Sequence, residues 1–174
     1  MPMAMKASYR RGQHWDLARK ALNRLAKANL AVKSTKEREV EYKIVGHLQA
    51  YGPLGKQLIT QVGADEVDKI QQASLFGFKH RPDTTIGNDG TAIEVKVIRS
   101  GPTVRDILGQ SIAYRMDYRF VILVLVDRTR GRKVVSLCKD KKTREHQLLS
   151  QMANELNVFS IVGPGPDGKN VVFK

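Results

Sequence analysis

Between residues 14 and 30 the apolar side chains Trp15, Ala18, Leu22 and Leu25 recur at three- and four-residue steps, with Lys20, Arg24 and Lys27 off that stripe. The spacing predicts an amphipathic helix. A second helix is expected from Ser34, where Ser34 and Glu37 have capping-box spacing ahead of Val40, Ile44 and Leu48; Tyr51-Gly52-Pro53 ends it. Residues 56–63 read as a short strand and 65–75 as a short helix. The centre is written more strongly. Residues 76–98 read as two strands around Gly87-Asn88-Asp89-Gly90, whose Asn and Gly tolerate positive φ. In the second strand Ile93, Val95 and Val97 alternate with Glu94 and Lys96, so the two charged residues share a face. Gly101-Pro102 breaks the strand. Val104, Ile107, Leu108, Ile112 and Met116 then space the buried face of a helix over 103–118. The run FVILVLV (120–126) is apolar on both faces, as a central strand must be. A strand-like VVSL run precedes Cys138. Residues 140–156 return to a helical pattern, and 158–162 with 171–173 read as a hairpin around a Gly-Pro-Gly-Pro-Asp-Gly turn.

This alternation predicts a mixed α/β fold, and 174 residues suit one domain with a single core and an extra arm. Residues 1–33 are expected to form a basic helical arm and 34–174 the main domain. No apolar run approaches the roughly 18 residues of a spanning helix. The stretch MPMAMKASYRRGQHW contains no apolar block followed by a small-residue cleavage site, and a single cysteine excludes an intramolecular disulfide framework. A cytoplasmic protein without a membrane partner is expected. His14, His47, His80 and His146 are scattered, with no pair at metal-ligand spacing, so a zinc site is not indicated.

Charge narrows the function. The formal net charge is +13, and residues 1–36 carry nine basic residues against the single acid Asp16. Such an excess calls for a polyanionic partner, nucleic acid ahead of acidic lipid. Candidate phosphate contacts are Arg19, Lys20, Arg24 and Lys27 on the first helix, and Arg128, Arg130, Arg132 and Lys133 after the central strand. Aromatic residues make up only 6% of the chain, which argues against a stacking platform for single strands and favours duplex or branched DNA.

The candidate chemistry lies in the central hairpin. Alternation sets Glu94 beside Lys96, and the turn at 87–90 returns the preceding strand so that Asp83 approaches them. Two carboxylates and an ammonium at one point suit Mg²⁺, a hard cation that takes one or two carboxylates plus water and phosphate oxygens. The lysine would orient or activate an attacking water and offset charge on a phosphate. An acid-x-Lys triplet alone is common here, at Glu41–Lys43, Glu94–Lys96, Asp140–Lys142 and Asp167–Lys169. Only the second lies in an alternating strand with Pro82-Asp83 across a hairpin. The same residues would also fit a solvated sheet face carrying a cross-strand ion pair. Gln110 and Tyr114, four apart, share a face of the following helix. Upstream, Glu41 sits beside the apolar stripe, where an unpaired carboxylate is costly, whereas the capping box accounts for Glu37.

Glu41, Pro82-Asp83, Glu94-Val95-Lys96 and Gln110-Ser-Ile-Ala-Tyr114, in that order, resemble the PD-(D/E)xK nuclease superfamily over roughly residues 34–126. The resemblance implies a restriction-endonuclease-like αβββαβ core and a Mg²⁺-dependent deoxyribonuclease of a restriction, defence, recombination or repair system, with Mn²⁺ as a substitute metal. It implies that Asp83, Glu94 and the Val95 carbonyl hold the metal, that Glu41 completes the shell and that Lys96 serves the nucleophilic water. The Gln110–Tyr114 pair is similar to the signature of RecB-like exonucleases, where it lies beside the active site and supports DNA binding; Ser111 stands where that signature has an apolar residue. The Lys-Glu-Arg-Glu-Val stretch is similar to Holliday-junction resolvases, which would place Glu37 in the role of Glu41. A nuclease of this size is expected to act as a homodimer or within a larger complex. A non-catalytic DNA-binding protein on the same fold is the alternative.

Overall fold

The apolar run becomes the middle of the sheet. Strand β6 (Phe120–Asp127) is buried along its whole length and pairs in parallel with β5 (Thr91–Ile98) on one edge and β7 (Val158–Gly163) on the other. A strand covered on both faces has no polar side to write, which explains its unbroken hydrophobicity. A computed structural model describes residues 5–31, 33, 36–61 and 67–174. Among these residues, β1 (Leu58–Thr60), β4 (Thr84–Ile86) and β8 (Val171–Phe173) extend the sheet to six strands in the order β1-β4-β5-β6-β7-β8. The outer pairings are antiparallel and the inner two parallel, so the protein is mixed α/β with a mixed central sheet flanked by helices. No described helix is long and apolar enough to cross a membrane.

The two faces of the sheet can be assigned from register. Trp15 of α1 (Gly12–Ala26) packs on Phe120 and Phe159, with ring centroids 5.5 and 5.9 Å away. Phe120 pairs with Thr91, and Ile122 with both Ile93 and Phe159, so α1 covers the face that carries Ile93, Val95 and Val97. Its Leu17, Ala18, Ala21, Leu22 and Leu25 are buried in the same hydrophobic core as the sheet. Each buried leucine of this kind contributes about 1.5–3 kcal/mol. The basic first helix is thus a packed layer, with Arg19, Lys20 and Lys27 on its outer surface. The opposite face carries Glu94 and Lys96 and is covered by α4 (Gly101–Asp117), α5 (Lys133–Lys139) and α6 (Arg144–Leu156).

Several sequence expectations need correction. Residues 65–75 do not form a helix in their described part; Val67–Lys69 is a single 3-10 turn, and β2 (Ala73–Leu75) then pairs with β3 (Phe78–His80) in a separate ribbon. The VVSL run is helical, as α5, because the buried Asp127 carboxylate accepts the Val135 and Thr129 N–H groups and organises the start of that helix. The second helix, α2 (Glu37–Gln49), begins at Glu37 without a side-chain cap; Ser34 lies outside the described residues. On α4 the buried positions are Ile107, Ser111, Ala113, Tyr114 and Arg115, whereas Ile112 and Met116 are only partly covered. The helix lies between the main sheet and the β2–β3 ribbon, so it is covered on two sides and a one-sided stripe does not describe it. The buried Arg115 meets carbonyls rather than acids: it donates to Leu156 and Lys6 carbonyl oxygens and to Ser8 Oγ at 2.5, 3.0 and 3.0 Å. It thereby ties the N-terminal segment to the core.

The β4–β5 hairpin forms around the expected turn, with Thr84, Thr85 and Ile86 opposite Ile93, Ala92 and Thr91. Gly87 adopts φ 69° there, and a Cβ on Gly90 would meet the Ile86 carbonyl oxygen at 2.6 Å, so both positions require glycine.

Candidate active site

The site arises where β4 and β5 part. Beyond the Thr84–Ile93 pair β5 continues alone on that edge, leaving backbone N–H groups without a strand to take them. Carboxylates take them instead. Asp83 Oδ2 accepts the Val95 N–H at 2.8 Å, and Glu37 Oε2 accepts the Val97 N–H at 3.2 Å. Glu94 closes the loop by accepting the Asp83 N–H on Oε2 at 3.3 Å. Upstream, the Gln61 side-chain amide donates to the Pro82 carbonyl at 2.8 Å and the Gln61 N–H to the Asp83 carbonyl at 3.0 Å, anchoring the Pro82-Asp83 corner to β1.

Lys96 joins these groups. Its Nζ lies 2.7 Å from Glu37 Oε1 and 3.3 Å from Glu94 Oε1. Glu94 is 3% exposed and Tyr114 is 1% exposed, and the Tyr114 hydroxyl lies 3.0 Å from Glu94 Oε2 and 3.2 Å from the Arg81 carbonyl oxygen. The face that would be solvated in a simple ion-pair reading is therefore roofed by α4. Ser111 is also buried, with its hydroxyl donated to the Leu108 carbonyl at 2.6 Å, so it fills an apolar position without an orphaned polar atom. Gln110 shares the helix face expected of it, and its Oε1 is shielded without a hydrogen-bond partner in the protein.

The electrostatics follow from burial and crowding. Burial first, and the Glu94 charge second, push the Asp83 carboxyl up to about 8, against the Val95 N–H that favours its ionised form. Burial likewise raises Glu94, with Lys96 and Tyr114 opposing it. Glu41, half-buried one turn behind Glu37, is raised by burial and by the Glu37 charge, and its own charge adds to the rise of Asp83. Burial would lower Lys96, but Glu94, Glu37 and Asp83 outweigh it and hold the ammonium above its usual value. Lys96 is accordingly a permanent cation near neutrality, suited to orient a water or neutralise a phosphate oxygen, and unsuited to remove a proton. Tyr114, raised by burial and by Glu94, remains a hydroxyl donor.

Two inward-facing carboxylates with raised pKa values, beside the backbone of Val95, form a hard-oxygen donor set short of positive charge. Among the described residues no group of three or more His, Cys, Asp or Glu side chains is arranged to enclose a metal ion. That arrangement does not suit a closed protein cage, but it suits Mg²⁺, which uses one or two carboxylates and fills its remaining positions with water and phosphate. Glu37, whose spacing from Ser34 suits a capping box, is the helix acid in direct contact with Lys96, whereas Glu41 acts through space. The Lys-Glu-Arg-Glu-Val stretch was the signal for it. Arg81 and Gln61, which hold the corner through backbone contacts, carried no such signal.

The candidate phosphate contacts divide. Ile98 pairs with Asp127, so the loop with Arg128, Arg130, Arg132 and Lys133 leaves the sheet at the same end as Lys96. Within it, Arg132 turns inward to the Asp127 carbonyl, while Arg128 has shielded Nε and Nη2 atoms without a protein partner. Across the sheet, Arg19 pairs with Asp16 at 3.5 Å, and Arg24 donates to the His47 carbonyl and lies over Tyr51. The α1 cations are on the other face from Glu94. Cys138 is buried, its thiol pushed up to about 12 mainly by burial, and is inert packing.

No family model matches the chain, and comparison with curated proteins and with solved structures returned no match.

Removing the Tyr114 hydroxyl should test the roof of the site directly. Tyr114→Phe leaves a buried carboxylate with one donor fewer and is expected to cost about 1–2 kcal/mol in denaturant unfolding. An unchanged midpoint would mean that the hydroxyl does not support Glu94.

Proposed function

We propose that the protein is a divalent-metal-dependent deoxyribonuclease on a restriction-endonuclease-like core, acting in a restriction, defence, recombination or repair system. The observation that carries this reading is the convergence of Asp83, Glu94 and Lys96 at the free edge of β5. The order α2, β1, β4, β5, α4, β6 supports the core assignment, since it has the helix, three sheet strands, helix and strand that the PD-(D/E)xK resemblance implies. Asp83, Glu94 and the Val95 carbonyl would hold Mg²⁺ or Mn²⁺. Once bound, the ion would supply positive charge against the negative charge that develops on the scissile phosphate. Lys96 holds a water or a phosphate oxygen through its ammonium, Glu37 and Glu94 fix the ammonium's position, Glu41 adds negative charge through space, and Tyr114 orients Glu94.

A basic cleft supports a DNA partner. Arg99, Arg105, Arg130 and Lys133, with Glu145 as the acid among them, line an opening between the start of α4 and the loop after β6. Burial, and then the nearby Arg132 and Arg99 charges, lower Arg128. Neutralising Arg128, Arg130 and Lys133 together should reduce the slope of log affinity against log salt by about 2–3, because each lost phosphate contact releases one counterion fewer. A slope equal to that of the unaltered protein would remove this loop from the interface.

One observation favours the alternative of a non-catalytic DNA-binding protein. Lys96 is already paired with Glu37 and Glu94, and a structural ion-pair network would look the same. Titration with Mn²⁺ followed by calorimetry separates the two. Binding that is lost in Asp83→Asn, with plasmid cleavage abolished by EDTA, supports the nuclease; an absence of binding at millimolar Mg²⁺ or Mn²⁺ overturns it.

A further inference from the structure

The chain has five phenylalanines; Phe120, Phe159 and Phe173 are buried, whereas Phe76 and Phe78 are 90% and 70% exposed. Both lie at the tip of the β2–β3 ribbon. Leu75 pairs with Phe78, so Phe76-Gly77 is a two-residue loop, and both residues have positive φ, 51° and 81°. Turns of this type favour Asn-Gly or Asp-Gly. A bulky aromatic in the left-handed region is disfavoured, and here that conformation holds the Phe76 ring in solvent instead of on the core.

The tip is rigidly mounted beside the site. Ser74 N–H donates to Asp117 Oδ2 at 3.2 Å and the Tyr118 hydroxyl to the Gln71 carbonyl at 2.5 Å, which anchors the ribbon on the end of α4. From Phe78 the chain passes through Lys79, His80 and Arg81 to Pro82 and Asp83. Five residues span at most about 18 Å, about five base steps at roughly 3.4 Å each. Between ribbon and α4 runs an open groove lined by Leu75, Phe78, His80, Arg105, Asp106 and Gln110. Its charged lining is Arg105 and Asp106, and the exposed Lys79 and the neighbouring Arg81 adjoin it along the chain, which leaves a local excess of positive charge.

We propose that the Phe76-Gly77-Phe78 tip stacks on unpaired bases of the DNA substrate beside the scissile phosphate, which makes branched or frayed DNA the preferred substrate class. This rests on the reading of Asp83, Glu94 and Lys96 as a DNA-cleaving site. Aromatic stacking needs no sequence and accepts any base, but it needs the base out of the helix. Two rings at one tip suit a junction or a frayed end and fall short of the extended platform of a single-strand binder. The adjacent cations suit the phosphates on either side, which an apolar surface awaiting a second copy would not need.

The test uses the full chain with a forked and a fully paired duplex of one sequence, in EDTA, by fluorescence anisotropy. The double variant Phe76→Asn/Phe78→Thr removes both rings while Asn suits the left-handed turn and Thr the strand, so the fold is retained and its melting temperature serves as control. We expect a 10- to 100-fold loss of affinity for the fork and less than a threefold change for the duplex. A Phe76→Trp variant should lose fluorescence on binding the fork. Equal affinities of wild type and double variant for the fork overturn the proposal, and so does a double variant that dissociates a dimer in sedimentation while binding the fork normally. Metal-dependent cleavage by wild type in either case leaves the nuclease reading standing. Ring-dependent fork binding with no cleavage in Mg²⁺ or Mn²⁺ supports the stacking tip and overturns the nuclease.

Discussion

Asp83→Asn is expected to lower DNA cleavage by at least about 10³-fold while leaving DNA affinity within about threefold, and Lys96→Arg by about 10²-fold or more. Both changes are chosen to keep the fold. An asparagine oxygen still accepts the Val95 N–H that Asp83 holds at 2.8 Å, and an arginine still offers a cation to Glu37 and Glu94. Asparagine loses the negative charge needed for a divalent ion, and arginine replaces a compact ammonium by a planar fork that cannot occupy the same point. Lys96→Met would be a poorer probe, because it abandons two carboxylates to a partly buried site, which costs about 3–5 kcal/mol. The comparison is made on supercoiled, linear and branched DNA in Mg²⁺ and Mn²⁺, with gel retardation as the binding control. Cleavage that survives Asp83→Asn would place the chemistry elsewhere.

Metal-free protein should lose stability as pH rises from about 5 to 8, the reverse of a protein stabilised by paired carboxylates. The sign follows from linkage. Asp83 titrates near its ordinary value of 3.8 when unfolded and at about 8 when folded, so in this window the folded state holds the extra proton. Stability falls with pH wherever the native state binds more protons. The raised Glu94 and Glu41 act in the same direction. Asp83→Asn removes the largest part and should be more stable than wild type at pH 8 in EDTA by about 2–3 kcal/mol, less than the full linkage value because the half-buried carboxyl is partly hydrated. At pH 5 the gap should be smaller, and it should close only below the unfolded value of 3.8. Millimolar Mg²⁺ should restore wild type at pH 8 and leave Asp83→Asn unaffected. Urea unfolding at both pH values reads each term, and a flat pH dependence for wild type would contradict the crowding of the two carboxyls.

The tip variant and the Asp83 variant report on different steps. In the proposed function, stacking by Phe76 and Phe78 would govern which DNA is held, and the carboxyls whether a held phosphate is cut. Fork affinity in Asp83→Asn should therefore equal that of wild type, as anisotropy would measure.

Local pattern carried the parts of this protein whose faces differ in chemistry. The alternation of Ile93, Val95 and Val97 with Glu94 and Lys96 specified β5, FVILVLV specified the central strand, and Pro82-Asp83 before a glycine turn brought a second carboxylate to Glu94. Those signals work because strand periodicity is two and a hairpin is local. Three features were settled only by tertiary packing. Residues 133–139 are helical rather than extended because buried Asp127, outside that run, takes the N–H of Val135. The buried face of α4 departs from its apolar stripe because the β2–β3 ribbon covers its second side, a contact made by residues some forty positions apart, as the Ser74–Asp117 bond shows. Glu37 contacts Lys96 across 59 positions because β4 leaves β5 early and frees the Val97 N–H. Sequence determined which residues carry charge onto the strand and hairpin; the free strand edge, known only once the sheet is assembled, decided which of them meet.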